Sequence, residues 1–306
     1  MGRCAKRFLD GRSIVHRTIA SLIASLIAPM LNVDLHSHST VSDGLLNPAD
    51  IAARAHRNGV DVWALTDHDE ISGVASARAT AQQLGMRHVG GVEISVTWAG
   101  KTIHIVGLQI DETNPVLVQG LADTRHGRQQ RAEQIGASLA GAGIPDAYRG
   151  ALRYVGNPNL ISRSHFARHL VDVGASTSVH EVFKHYLVQG KPGYVEHRWA
   201  SLADALQWIR VAGGQAVIAH PGRYELTPLQ MTALLDEFKQ LGGTGIEVVT
   251  GSHTPDQYQT FAVVAAQYGF LASRGSDFHG PGESAVEPGQ LPPLPASLTP
   301  IWHDWF

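Results

Sequence analysis

Short apolar runs bounded by turn residues alternate along the chain with longer stretches that carry helix start and stop signals. That alternation predicts a parallel βα architecture. Strands are expected over 33–35, 60–65, 88–96, 102–108, 216–219, 246–249 and 270–273. The second reads as a buried strand, because its core is continuously apolar. Asn47-Pro48-Ala49-Asp50 supplies an N-cap, a proline at the first helical position and an acid in the first turn, and the helix it starts ends near Gly59. Further helices are expected over 72–84, 201–213, 227–241 and 255–268. Trp98-Ala99-Gly100-Lys101 turns the third strand back into the fourth as a hairpin.

Between about Asp111 and Gln189 the strand signals stop, and helices are expected over 115–142, 161–173 and 179–188. The chain thus divides into an N-terminal extension (1–31), a barrel assembled from 32–110 and 190–286, a helical insertion (111–189) placed to cap a substrate, and a tail (287–306). The tail is proline-rich, and its closing Trp302-His303-Asp304-Trp305-Phe306 is expected to dock on the barrel surface. About seven strands predict an α/β fold of the distorted (β/α)7, TIM-like kind. Active sites of such barrels lie at the C-terminal strand ends.

Composition narrows the functions. The net charge of −3 offers no overall basic field, so a stable DNA partner is not expected and any RNA must be held locally. A single cysteine, Cys4, excludes an intrachain disulfide and suits a reducing compartment, here the cytoplasm. Arg3, Lys6, Arg7, Arg12 and Arg17 precede an apolar run over 19–31. That run has no small-x-small cleavage site and is too short to span a bilayer. It is read as a dispensable extension, with no membrane partner.

The seventeen histidines direct attention to metal chemistry. His36 and His38 follow the first strand at a spacing that, in extended backbone, points both side chains the same way. Asp43 lies in the next loop. Asp67-His68-Asp69 ends the second strand, where three ionisable groups after an apolar core are costly unless paired. Glu93 and His104 interrupt otherwise apolar strands and are expected opposite one another across the hairpin. His220 closes the fifth strand, and Asp277 and His279 the last. Each alone could be an ordinary polar residue; together, at successive strand ends, they predict a cluster of divalent ions.

The segments 35–44, 66–69, 91–95, Ala219-His220-Pro221-Gly222 and 275–279 resemble the motifs of the PHP (polymerase and histidinol phosphatase) family, over about residues 32–284. The insertion segments 162–170 and 190–195 are similar to the branch containing 3′,5′-nucleoside bisphosphate phosphatases and a 5′→3′ exoribonuclease. The resemblance implies a PHP barrel with two or three ions. His36, His38, Glu93 and Asp277 would hold the first, and Glu93, His104 and His220 the second. Asp43, His68 and His279 would hold the third. The mixed imidazole and carboxylate set suits Mn²⁺, with Fe, Zn or Mg as alternatives.

The implied activity is hydrolysis of the 3′-phosphate of nucleoside 3′,5′-bisphosphates, and of short RNA from its 5′ end, by a hydroxide that the metals activate. Asp67, His68 and Glu93 are the candidate catalytic residues, with Asp67 or a metal-bound water as the candidate proton donor. Arg163, His165, Arg168, Lys191 and Arg223 are candidate substrate-binding residues for a second phosphate. The alternative is a phosphatase of a small metabolite such as histidinol phosphate. An amidohydrolase would usually place a lysine at a barrel strand end, and none is found there.

Overall fold

Seven strands follow one another around a single sheet in chain order. They belong to a computed structural model that describes residues 31–306; the rest of the predicted extension lies outside the described residues. The first half contains β1 (Val33–Asp34), α1 (Pro48–Arg57), β2 (Val62–Leu65), α2 (Val74–Gln83), β3 (Arg87–Trp98) and β4 (Lys101–Leu108). The insertion supplies α3 (Pro115–Arg125), α4 (Arg128–Gly141), α5 (Ala147–Leu152), α6 (Arg163–Asp172) and α7 (Val179–Val182). The barrel resumes with α8 (Leu202–Val211), β5 (Gln215–Ile218), α9 (Pro228–Gln240), β6 (Gly245–Thr250), α10 (Pro255–Tyr268) and β7 (Leu271–Gly275).

Neighbouring strands are parallel except around β4, which is antiparallel to both β3 and β5. The barrel is nearly closed. Leu35 N–H donates to Arg274 O (3.0 Å), Asp277 N–H to His36 O (2.8 Å) and His38 N–H to Phe278 O (2.9 Å). This seam matters for chemistry, because it sets the His36–His38 segment beside Asp277 and His279. The tail docks as expected. Ile301 N–H donates to Ala272 O (2.9 Å), and Trp302 and Trp305 pack on the apolar cluster formed by Val33, Val62, Val217 and Ile301.

The insertion differs from its sequence pattern. The single helix expected over 115–142 is two, broken at His126-Gly127, where Gly127 adopts φ = 87°. A helical period runs on in phase across so short a break, and the glycine was the available signal. The helix α5 was not anticipated. The segment expected as one helix over 179–188 is one α-turn followed by a π-helical stretch, Phe183–Leu187.

Apolar packing also divides the insertion. Leu117 and Leu121 of α3 join the barrel cluster with Leu206 and Ile209 of α8. A separate cluster unites Ile135 and Leu139 of α4 with Ala151, Phe166, Leu170 and Leu187. We therefore propose that the cap begins near Arg128, and that α3 belongs to the helical layer of the barrel.

Candidate metal centre

Local backbone chemistry delivers each side chain. Strand ends place His36, His38, His68, His220, Asp277 and His279 on one rim, while β3 and β4 project Glu93 and His104 from within the sheet. Asp69, His220 and Asp277 have positive φ (52°, 27° and 53°), a conformation that costs energy outside glycine and concentrates at functional sites. The hairpin register corrects one expectation. His104 pairs with Ser95, and Glu93 with Val106, so His104 and Glu93 are diagonal neighbours. Their side chains still meet, with His104 Nδ1 2.9 Å from Glu93 Oε1.

All nine predicted ligands converge. Four overlapping groups bring their ligand atoms within 4.8 Å of one another: His38, Asp43, His68 and His279; His36, Glu93 and His220; His36, His38 and Asp277; and His68, Glu93 and His104. Glu93 is fully buried at the middle. Its Oε1 faces His104 Nδ1 and His220 Nε2, both at 2.9 Å. Its Oε2 faces His68 Nδ1 at 3.0 Å and the Nε2 atoms of His36 and His38 at 3.3 Å. The two oxygens thus serve different sets of imidazoles, the arrangement of a bridging carboxylate.

The geometry fits cations on its own terms. His36 Nε2 and His38 Nε2 lie 3.1 Å apart, where two lone pairs repel unless a proton or an ion comes between them. Glu93 Oε2, Asp43 Oδ1, Asp277 Oδ1, His68 Nδ1 and His104 Nδ1 are buried without a hydrogen-bond partner. Such groups call for an explanation, and a cation supplies one for all five.

The electrostatics agree. Burial pushes Glu93 up, but His68, His104 and His36 more than reverse this and hold it well below the usual carboxylate range. Burial pushes His38 down, but Asp277 and Glu93 pull it up to about 10. The carboxylates therefore demand positive charge, which protons supply until metal displaces them. His220 is pushed down to about 3 by burial and Arg223, and His279 to about 4 by burial and His38; both are neutral at pH 7, the form in which an imidazole can bind an ion.

Residues behind the ligands include one that the sequence reading missed. Glu247, in the middle of β6, accepts from His36 Nδ1 (2.8 Å) and from the His220 backbone N–H (2.6 Å). It fixes the His36 tautomer, leaving Nε2 for an ion. A carboxylate in a wholly buried strand was its signal. Glu247→Gln should weaken metal retention about 10–100-fold, as measured by chelator competition; unchanged retention would remove Glu247 from this role.

The remaining candidates separate. Asp67 accepts from Ser39 N–H (2.7 Å), Ser39 Oγ (2.7 Å) and Ser42 Oγ (2.6 Å). Both oxygens are engaged in tying down the His38 loop, while burial pushes the carboxyl up. His165 Nδ1 accepts from the Ser162 backbone N–H (2.9 Å) in a capping box, and burial pushes it to about 4. Arg168 is committed to Glu283 (2.7 and 2.8 Å) and to the Asp43 carbonyl (2.5 Å). Lys191 is exposed and does not line the cleft beside the ligands.

Arg163 and Arg223 do line that cleft, and Arg128 and Arg131 of α4 join them, with Ser95, Thr102, Phe183 and Trp199. The latter arginines escaped notice because they read as the polar face of an ordinary helix. Arg128 is paired with Asp69, and Arg223 with Asp277 at 3.0 Å. Among the described residues, Arg131 and Arg163 donate to main-chain carbonyls alone, of Val195 (3.1 Å) and Leu187 (3.2 Å). Burial first, then Arg163 and Arg128, push Arg131 down to about 9; burial and Arg223 push Arg163 down. Arginine keeps its proton regardless, so these shifts record first the cost of enclosing the charge and then mutual repulsion, both of which an anion would relieve.

Comparison with known proteins identifies relatives of the whole described chain. A 3′,5′-nucleoside bisphosphate phosphatase of Chromobacterium violaceum is 50% identical over 275 residues, 90% of this chain and 96% of the relative. A 5′-3′ exoribonuclease of Haemophilus influenzae is 42% identical over 270 residues, covering 88% and 97%. A solved Chromobacterium violaceum structure, named as an amidohydrolase with bound sulfate and no metal, superposes with TM-score 0.86 at 50% identity, covering 89% of this chain and 94% of that one. The PHP domain pattern matches residues 34–215, more than half the chain, and with the ligand-bearing strand ends in place this chain belongs to the PHP domain family.

Proposed function

We propose that this PHP phosphoesterase removes the 3′-phosphate of nucleoside 3′,5′-bisphosphates and trims short RNA from its 5′ end. The observation that carries this reading is the pair Arg131, which is buried, and Arg163, which is partly buried; among the described residues neither has a carboxylate partner, and both lie in the same cleft as the candidate metal ligands. A substrate with one phosphoryl group at the ligands and a second at the arginines satisfies both. A nucleoside 3′,5′-bisphosphate has that form. So does RNA with a 5′-phosphate, whose first internucleotide phosphate occupies the place of the 3′-phosphate. One geometry thereby accommodates the activities in the names of both relatives.

In this reading His36, His38, Glu93 and Asp277 hold one ion, Glu93, His104 and His220 a second, and Asp43, His68 and His279 a third. Manganese is the assigned metal, since hard carboxylates and imidazoles are mixed in each set. When bound, the ions supply Lewis acidity toward the phosphoryl oxygens and a nucleophile at neutral pH. The protein's own groups do the rest. Glu247 orients His36, Asp67 fixes the His38 loop, and Arg131 and Arg163 anchor the far phosphate and so position the ester. Arg223, half-exposed at 49% and paired with Asp277, stands between the two regions. No helix among the described residues is long and apolar enough to cross a membrane, and the cytoplasm is the proposed location.

Histidinol phosphate has a single phosphate and leaves the arginine pair unused. With Mn²⁺ added, phosphate release from adenosine 3′,5′-bisphosphate should exceed that from histidinol phosphate, and a 5′-hydroxyl RNA should be cut about ten-fold or more slowly than its 5′-phosphorylated form. Preference for histidinol phosphate, or indifference to the 5′-phosphate, would overturn the proposal.

A further inference from the structure

We propose that docking of the cap and binding of an ion by Asp43, His68 and His279 are one coupled equilibrium, with Ser164 as the positioning residue that links them. The inference rests on the metal reading of that group and adds a conformational consequence to it.

The cap touches the Asp43 loop at several points. Ser164 Oγ donates to Asp43 Oδ2 at 2.9 Å. Ser162 Oγ lies 3.2 Å from both Asp43 Oδ2 and His165 Nδ1, and its single proton can satisfy only one. Ser164 is therefore the dependable donor. Arg168, farther along α6, donates to the Asp43 carbonyl at 2.5 Å. Gly156, at the cap's leading edge, sits so close to the same loop that an added Cβ would lie 2.4 Å from Thr40 O.

The other carboxylate oxygen shows why an ion matters. Asp43 Oδ1 is buried with no hydrogen-bond partner and faces His279 Nε2 at 3.5 Å and His68 Nε2 at 4.0 Å. With the cap docked, the Asp43 carboxylate accepts from it at Oδ2, while Oδ1 stays buried and without a donor. Lifting the cap hydrates Oδ1; an ion satisfies it with the cap in place. The docked state therefore binds the ion more tightly, and by linkage the ion favours docking by the same factor. Ser164 adds direction, since its bond to Oδ2 holds Oδ1 turned toward the imidazoles.

The experiment strips the full-length protein of metal and titrates it with Mn²⁺. Bound ions are counted by equilibrium dialysis with elemental analysis, and amide hydrogen exchange is followed over 158–172. In the unmodified protein, exchange there should slow about ten-fold as the ions bind, within the usual range of coupling. Ser164→Ala should weaken one ion per chain by about ten-fold and abolish the slowing, and Ser164→Thr, which keeps the hydroxyl, should restore both. Gly156→Ala, which pushes the cap away with Ser164 intact, should weaken the same ion. Wild-type Mn²⁺ affinity in Ser164→Ala, or exchange indifferent to Mn²⁺ in the unmodified protein, overturns the coupling alone. A protein that takes up no Mn²⁺ overturns the metal reading and the coupling with it.

Discussion

Glu93→Gln is expected to lose at least one metal ion per chain and about a hundred-fold or more in turnover. The substitution preserves volume, so the buried strand around it, with Val92 and Ile94 fully enclosed, keeps its packing. What changes is charge and donor character. Glu93 Oε1 and Oε2 each face separate imidazoles within 2.9–3.3 Å. A glutamine offers an oxygen to one set and an N–H to the other, and it removes the central negative charge that attracts the cations. Losing an outer-shell partner already costs a metal site 10–100-fold, so losing a shared ligand should cost at least the upper end of that range. Elemental analysis and turnover under saturating Mn²⁺ measure both effects. Full metal occupancy with unchanged turnover would remove Glu93 from the bridging position. Lost turnover with full occupancy would assign it a role other than holding metal.

Why the candidate ligands were legible while the cleft was legible only in part, at Arg163 and Arg223, follows from the physics of each. A carboxylate or imidazole inside an apolar strand, such as Glu93 in Gly91-Val92-Glu93-Ile94, contradicts its surroundings and signals a buried partner. The ligands lie at element ends whose positions the strand and cap signals already fix. Arg128 and Arg131 contradict nothing locally. A helix tolerates arginine on its polar face, and the sequence does not reveal which helix turns that face toward the barrel mouth. Arg168 and His165 are engaged elsewhere for the complementary reason. Their motif was visible, but their partners, Glu283 and the Asp43 carbonyl for one and the Ser162 N–H for the other, come from backbone geometry and from residues distant in sequence. The hairpin itself was predicted, but its register was not. Turn residues 98–101 mark where the chain reverses, whereas the pairing of His104 with Ser95 depends on how the flanking strands meet.

Arg163→Met and Arg131→Met are each expected to raise KM for a nucleoside 3′,5′-bisphosphate by about ten-fold or more, while a generic monophosphate ester loses little. The estimate takes one charge-assisted contact to a phosphate as worth roughly 1.5–3 kcal/mol, a factor of about ten to a hundred. Methionine keeps much of the side-chain volume, and among the described residues neither arginine is paired with a carboxylate that its loss would strand. The choice of residue matters here. Arg128 is joined to Asp69, which also accepts from Ser95 N–H at 2.7 Å, so its removal would leave a buried charge and confuse binding with folding. Removing Arg163 also relieves repulsion on Arg131, so the double variant should lose less than the two single losses multiplied together. The generic ester serves as the internal control, because it needs the metal ligands and not the arginines. Equal losses on both substrates would show that these arginines support the fold or the metal centre, and the second phosphate would then have to be held elsewhere in the cleft.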